Sequence, residues 1–131
     1  MARIVIAEDE EALRGFVART LALDGHDVHA TADGAEALDL IVRHEGRFDL
    51  LLADIRMPVM DGIALALAAA RDYPAMTILL MTGYADQRER AHGLDALIHD
   101  VVSKPFTLAQ IRSAVKDALG RMSDARGQIS D

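Results

Sequence analysis

Leu50-Leu51-Leu52-Ala53 is apolar at every position, ends on a carboxylate, Asp54, and breaks at Pro58 after Ile55-Arg56-Met57. A strand with no polar alternate has no face to give to water, so it belongs inside a parallel sheet covered on both sides. Arg3 to Ala7 has the same character and ends on Glu8 and Asp9, and Thr77 to Met81 is a third such run. Between the runs the apolar period changes to that of a helix. Leu13, Phe16, Val17, Thr20 and Leu21 mark one face; Leu38, Ile41 and Val42 mark a second; Leu108, Ile111, Val115, Ala118 and Leu119 mark the last. This alternation predicts an α/β fold: a doubly wound, five-stranded parallel sheet with five helices on its two faces.

Local signals set the boundaries. Strands are expected at 3–7, 26–30, 49–53, 77–81 and 98–102. Gly25 suits a helix C-cap, and Asp33 with Glu36 forms a capping box. Asp61-Gly62 opens the third helix, which should stop near Tyr73 because Pro74 disfavours helix in the residue before it. The stretch 86–97 carries Asp86, Arg88, Glu89, Arg90 and Asp95 with few apolar residues, so it reads as the least firmly packed helix. His99 and Asp100 make the fifth strand polar enough for a sheet edge. Thr107 and Gln110 form a second capping box, and periodicity ends at Gly120, which predicts a domain over 1–120 and a flexible tail over 121–131. A second, output domain does not fit in 131 residues.

Composition narrows the function classes. With 14 basic and 21 acidic residues the net charge is -7, which argues against nucleic-acid binding. No apolar run reaches the ~18 residues of a membrane span, and no signal-peptide pattern is present, so a cytoplasmic protein is expected. The absence of cysteine excludes disulfides, thiolate metal sites and cysteine nucleophiles. The five histidines suggest no site: His26 and His29 would face opposite sides of a strand, and His44, His92 and His99 stand apart.

In an open parallel sheet, ligands sit beyond the carboxyl ends of the strands. If the first strand neighbours the third, Asp9, Asp54 and Glu8 gather there, and their repulsion calls for a hard divalent cation, Mg²⁺ rather than zinc. A carboxylate can also attack phosphorus to form an aspartyl phosphate. Asp54, fixed by the most apolar strand, is the candidate nucleophile, with Asp9 and Glu8 left to hold the metal. Phosphoryl transfer further needs groups that neutralise the equatorial oxygens, and Lys104 and Thr82, both at strand ends, supply an amine and a hydroxyl.

The ordered set of Glu8-Asp9, Asp54 with Met57-Pro58 and Asp61-Gly62, Thr82-Gly83 and Lys104-Pro105-Phe106 resembles the receiver domain of two-component response regulators. The resemblance spans residues 3 to 119 and points to the stand-alone, chemotaxis-regulator-like members. It implies a flavodoxin-like strand order of 2-1-3-4-5. It implies Asp54 as phosphoacceptor and Asp9, Asp54 and the Arg56 main-chain carbonyl as metal ligands, with Glu8 acting through water. Thr82 and Lys104 would bind phosphoryl oxygens, and the Lys104–Pro105 peptide would be cis. A sensor histidine kinase or a histidine phosphotransfer protein would supply the phosphoryl group. A downstream protein would read the surface of the fourth helix, fifth strand and last helix. Thr82-Gly83-Tyr84-Ala85 and the lack of an output domain are also similar to stand-alone receivers that govern bacterial cell-cycle proteolysis.

Two positions depart from the pattern. Val101 stands where such receivers usually carry an aromatic switch residue, which leaves Tyr84 as the nearest aromatic substitute, and Glu8-Asp9 replaces the commoner pair of aspartates. Other readings fit less well. A Mg²⁺-dependent aspartyl-phosphate phosphohydrolase would place a second acid where Arg56 stands. A nucleotide or flavin binder needs a phosphate cradle, but Glu8-Asp9-Glu10-Glu11 is acidic and glycine-free. A degenerate receiver binding partners without phosphorylation is the reading that Val101 keeps open. Enzymatic turnover is not expected beyond self-catalysed phosphoryl acceptance and autodephosphorylation.

Overall fold

The computed structural model describes residues 1–83, 89–91 and 93–130, with 121–130 as main chain only. The elements are β1 (Arg3–Ala7), α1 (Glu11–Leu23), β2 (Asp27–Thr31), α2 (Gly34–Arg43), β3 (Leu50–Asp54), α3 (Gly62–Asp72) and β4 (Thr77–Thr82). Helical residues 89–91 (α4), β5 (Asp100–Ser103) and α5 (Leu108–Ser130) complete the chain. All strand pairs are parallel, in the order β2-β1-β3-β4-β5.

Side chains of the central strands alternate between two cores. Ile4, Ile6, Leu50, Leu52, Leu79 and Met81 pack against Val17 and Leu21 of α1 and Ile111, Val115 and Ala118 of α5. Val5, Leu51, Ala53, Ile78 and Leu80 pack on the other face against Ile41 of α2 and Leu65, Ala66 and Ala69 of α3. The apolar run Leu50–Ala53 is thus explained: all five residues of β3 are buried, two apolar side chains facing one core and two the other, and Asp54 ends the strand. Each fully buried Leu or Ile contributes about 1.5–3 kcal/mol of transfer free energy, so β3 anchors the domain.

The local signals behave as their chemistry requires. Asp33 Oδ1 accepts from the Glu36 N–H and Asp61 Oδ1 from the Ala64 N–H, each at 2.8 Å. Gly25, at φ 90°, ends α1: its N–H reaches the Ala22 carbonyl and that of His26 the Leu21 carbonyl, the paired bonds of a left-handed helix stop. Thr107 and Gln110 exchange hydrogen bonds at the start of α5. Strand limits fall within two residues of those expected, and β5 has the half-exposed pattern of an edge.

One expectation needs correction. The helix expected over 86–97 does not extend through 93–97, which form turns closed by bonds from Leu94 N–H to Ala91 and from Leu97 N–H to Leu94. Gly93 costs a longer helix about 1 kcal/mol relative to alanine; residues 84–88 and 92 lie outside the described residues. Beyond Gly120, where the apolar periodicity ends, the backbone is helical to Ser130. A single glycine costs a helix only about 1 kcal/mol, and no proline follows it. Among the described residues, no helix is long and apolar enough to cross a membrane.

Candidate functional site

β1 and β3 are hydrogen-bonded neighbours with Ala7 opposite Ala53. The next residues, Glu8 and Asp54, therefore leave the sheet side by side at its carboxyl edge. Their chains depart to α1 and α3 on opposite faces, which is the switch point where such sheets bind ligands. One carboxylate oxygen from each of Glu8, Asp9 and Asp54 lies within 4.8 Å of the others. Glu8 and Asp54 are 1% and 5% exposed, whereas Asp9 faces solvent.

Lys104 follows β5 and reaches across the sheet edge. Its Nζ donates to Asp54 Oδ2 at 2.9 Å and to Glu8 Oε2 at 3.0 Å. Glu8 Oε1 accepts from the Glu10 N–H at 3.0 Å. One ammonium cannot fully neutralise two buried carboxylates, and Glu8 registers this in its titration. Burial pushes Glu8 from 4.5 up to about 7, helped by the Asp54 charge and opposed by the Glu10 N–H and Lys104. Burial works against the Lys104 ammonium, but its hydrogen bonds to Asp54 and Glu8 outweigh this and raise it above its ordinary value. Lys104 is held as a cation between two acids.

The remaining expected residues surround this pair. Thr82 is buried at the end of β4, one residue beyond Met81, which pairs in register with Asp54. Its main-chain carbonyl accepts from the Lys104 N–H at 2.7 Å, fixing the lysine backbone to β4. Arg56 is exposed on the β3–α3 connection and lines, with Glu8, Asp9, Asp54, Lys104 and Pro105, a cleft of about 720 Å³. The Lys104–Pro105 peptide is cis, as the resemblance implies. Val101 is half-buried on β5 and packs against the core on the α2–α3 face. Tyr84 lies outside the described residues. A larger cavity, about 890 Å³, lies between the start of β1 and α5 and includes none of the acid cluster.

Asp61-Gly62 contributes through shape as well as capping. A Cβ on Gly62 would run into the Asp54 main-chain carbonyl, so glycine lets α3 begin directly against the end of β3. The donor set, three carboxylates beside an open cleft with neither imidazole nor thiolate, fits a hard divalent cation rather than zinc.

Sequence reasoning missed several contacts. Arg14 Nη1 donates to the Glu8 main-chain carbonyl at 2.9 Å; a lone arginine one turn beyond an acidic run was the available signal. Arg90 on α4 pairs with Asp61 Oδ2 at 3.1 Å. The histidines need correction too. His29 and His44 are not apart: their rings lie 5.8 Å from each other and 5.3 and 5.4 Å from Phe48, over which the Arg3 guanidinium stacks at 4.8 Å. His26 precedes β2 rather than lying in it, and its Nδ1 accepts from the Ala2 N–H. His99 is buried against Asp117 of α5, Nε2 to Oδ2 at 2.8 Å. His92 is outside the described residues. These partners sit far away in sequence, where no spacing rule reaches them.

Residues 4–116 match the response regulator receiver domain family. The chain is similar to response regulator MprA of Mycobacterium sp. strain KMS, 34% identical over 128 residues, covering 98% of this chain and 55% of that protein. MprA of Mycobacterium avium strain 104 is likewise 34% identical, over 91% of this chain and 51% of its own length. The chain thus spans about half the length of the curated relatives it matches. A CheY-like receiver domain protein from Methanospirillum hungatei JF-1 superposes with a TM-score of 0.85 at 28% identity, covering 95% of this chain and 98% of its own. The REC domain of AraT from Geobacillus stearothermophilus gives 0.83 at 29% identity, with the same coverage of both chains. Together with the strand order and the acid cluster beside Lys104, these matches show that the chain belongs to the response regulator receiver domain family of two-component signalling.

Proposed function

We propose that the protein accepts a phosphoryl group from a phosphohistidine onto Asp54 and signals through protein–protein contacts. The observation that carries this reading is Lys104 Nζ bridging Asp54 and Glu8, at 2.9 and 3.0 Å, beside a third carboxylate within 4.8 Å. An Asp54 carboxylate oxygen forms the new bond to phosphorus as the phosphorus–nitrogen bond breaks, and the released imidazole takes up a proton. Lys104 and Thr82 bind the phosphoryl oxygens, placing a cation and a hydroxyl where charge spreads in the transition state. Asp9, Asp54 and the Arg56 carbonyl would hold Mg²⁺, with Glu8 contributing through water, and the ion would neutralise phosphoryl and carboxylate charge when bound. Burial of β3 keeps Asp54 from drifting while this happens.

The donor is a sensor histidine kinase or a histidine phosphotransfer protein, and the protein acts in the cytoplasm. Its own chemistry is limited to phosphoryl acceptance and later hydrolysis of the acyl phosphate. The phosphate adds nearly two negative charges to an acidic rim, so Lys104 and its neighbours must rearrange. The surface of α4, β5 and α5 carries that change to a downstream protein. Val101 favours one further reading, a receiver that binds partners without phosphorylation, because the aromatic that would report the phosphate is missing.

Incubation with Mg²⁺ and acetyl phosphate, followed by intact mass measurement, tests the proposal. The expected result is a labile adduct of one phosphoryl group, absent in Asp54→Asn and in EDTA. No adduct on the wild-type protein, or one that survives in Asp54→Asn, would overturn it.

A further inference from the structure

Asp9 is the most exposed member of the acid cluster and sits on the connection between β1 and α1. Among the described residues its carboxylate has no hydrogen-bonding or ionic partner, so its placement depends on the backbone that carries it. That backbone is pinned mainly at Glu8. The Glu8 N–H donates to the Thr31 carbonyl at 3.1 Å, and the side chain is held by Lys104 and the Glu10 N–H. The Glu8 carbonyl belongs to the peptide unit that leads directly into Asp9. Arg14 Nη1 donates to that carbonyl at 2.9 Å, while the Arg14 N–H closes the first turn of α1 on the Glu10 carbonyl, also at 2.9 Å. α1 has no side-chain cap at Glu10. Arg14 is therefore the side chain that ties the peptide preceding Asp9 to the body of the first helix. If that peptide turned about its flanking bonds, the Asp9 carboxylate would swing out of reach of Glu8 and Asp54.

We propose that Arg14 is a positioning residue for the divalent cation, holding the Glu8–Asp9 peptide so that Asp9 faces the acid cluster; the proposal rests on reading that cluster as the Mg²⁺ site. Arg14 also bears a positive charge, and a cation near a cation site weakens binding by Coulomb repulsion. Placement and charge thus make opposite predictions for its removal. If charge dominates, Arg14→Gln binds Mg²⁺ more tightly. If placement dominates, it binds more weakly, as for other groups that orient ligands from behind, where losses of about tenfold are typical.

The test is calorimetric titration of the unphosphorylated protein with Mg²⁺, which reads affinity without phosphoryl transfer. The dissociation constant is expected to rise about tenfold in Arg14→Gln. It should stay the same or fall in Arg19→Gln, which removes an exposed positive charge from the same helix. Should Arg14→Gln not fold, Arg14→Met, which keeps the apolar stem, carries the same expectation. An affinity equal to or above wild type in the Arg14 variant overturns the role of Arg14 alone. Failure of the wild-type protein to bind Mg²⁺ overturns the reading of the cluster itself, and the positioning role with it.

Discussion

Glu8 is buried beside a second carboxylate, and the protein's stability should register that. Its carboxyl titrates at about 7 instead of 4.5 because burial disfavours the charged form. Between those values the folded protein holds a proton that the unfolded chain has lost. The stability this confers is complete below about 4.5 and disappears as pH rises through about 7. In metal-free buffer, wild-type stability relative to Glu8→Gln should therefore fall by about 1–3 kcal/mol from pH 5 to pH 8, read from urea midpoints. A constant difference across that range would show that Glu8 titrates normally. Val59 carries a different kind of strain. It is a β-branched residue at φ 67°, 85% exposed, in a tight turn closed from the Met60 N–H to the Pro58 carbonyl at 2.7 Å. Glycine adopts that conformation without steric cost, so Val59→Gly should raise stability by about 0.5–1 kcal/mol in thermal unfolding. The acids, the lysine and the threonine of the site were readable from the sequence because each ends a recognisable strand. The Val59 strain was not, since no residue type announces a positive φ except glycine.

The meeting of β3 with α3 shows how one element places another. Asp61 caps the helix and Gly62 admits the Asp54 carbonyl, so Asp54 and the helix start share one tight corner. Gly62→Ala must push the backbone of Asp54 aside. It should cost about 1–3 kcal/mol in urea denaturation and slow phosphoryl acceptance, whereas an effect on stability alone would separate the corner from the chemistry. Asp61-Gly62 was legible as a helix start; its closeness to Asp54 was not, because two chain segments meet there. The residues around 93–97 show the converse. They fall in the stretch expected to be the least firmly packed helix, and helices in a domain owe most of their stability to a packed apolar face, to which 93–97 contribute only Leu94.

Across the whole molecule, two cores on one parallel sheet bury the central strands and leave the carboxyl edge open for chemistry. α5 packs into its core through Ile111, Val115 and Ala118, and its continuation past Gly120 carries only Met122 and Ile129 as large apolar residues. Removal of residues 121–131 should shift the thermal midpoint by no more than about 2 °C, as expected for a change within 0.5 kcal/mol, and leave phosphoryl acceptance intact. A larger drop would make the extension part of the domain. The alternation of strand and helix, the caps, the buried third strand and the acids at strand ends could all be read along the chain, because burial pattern and capping are local and repeat at fixed spacings. What tertiary structure alone decided is which strand ends touch. Lys104 meets Asp54 across 50 residues and Glu8 across 96, and Arg3 on Phe48 and the His99–Asp117 pair find their partners the same way. Register and crossover direction bring those groups together, and neither is written in the spacing of any one segment.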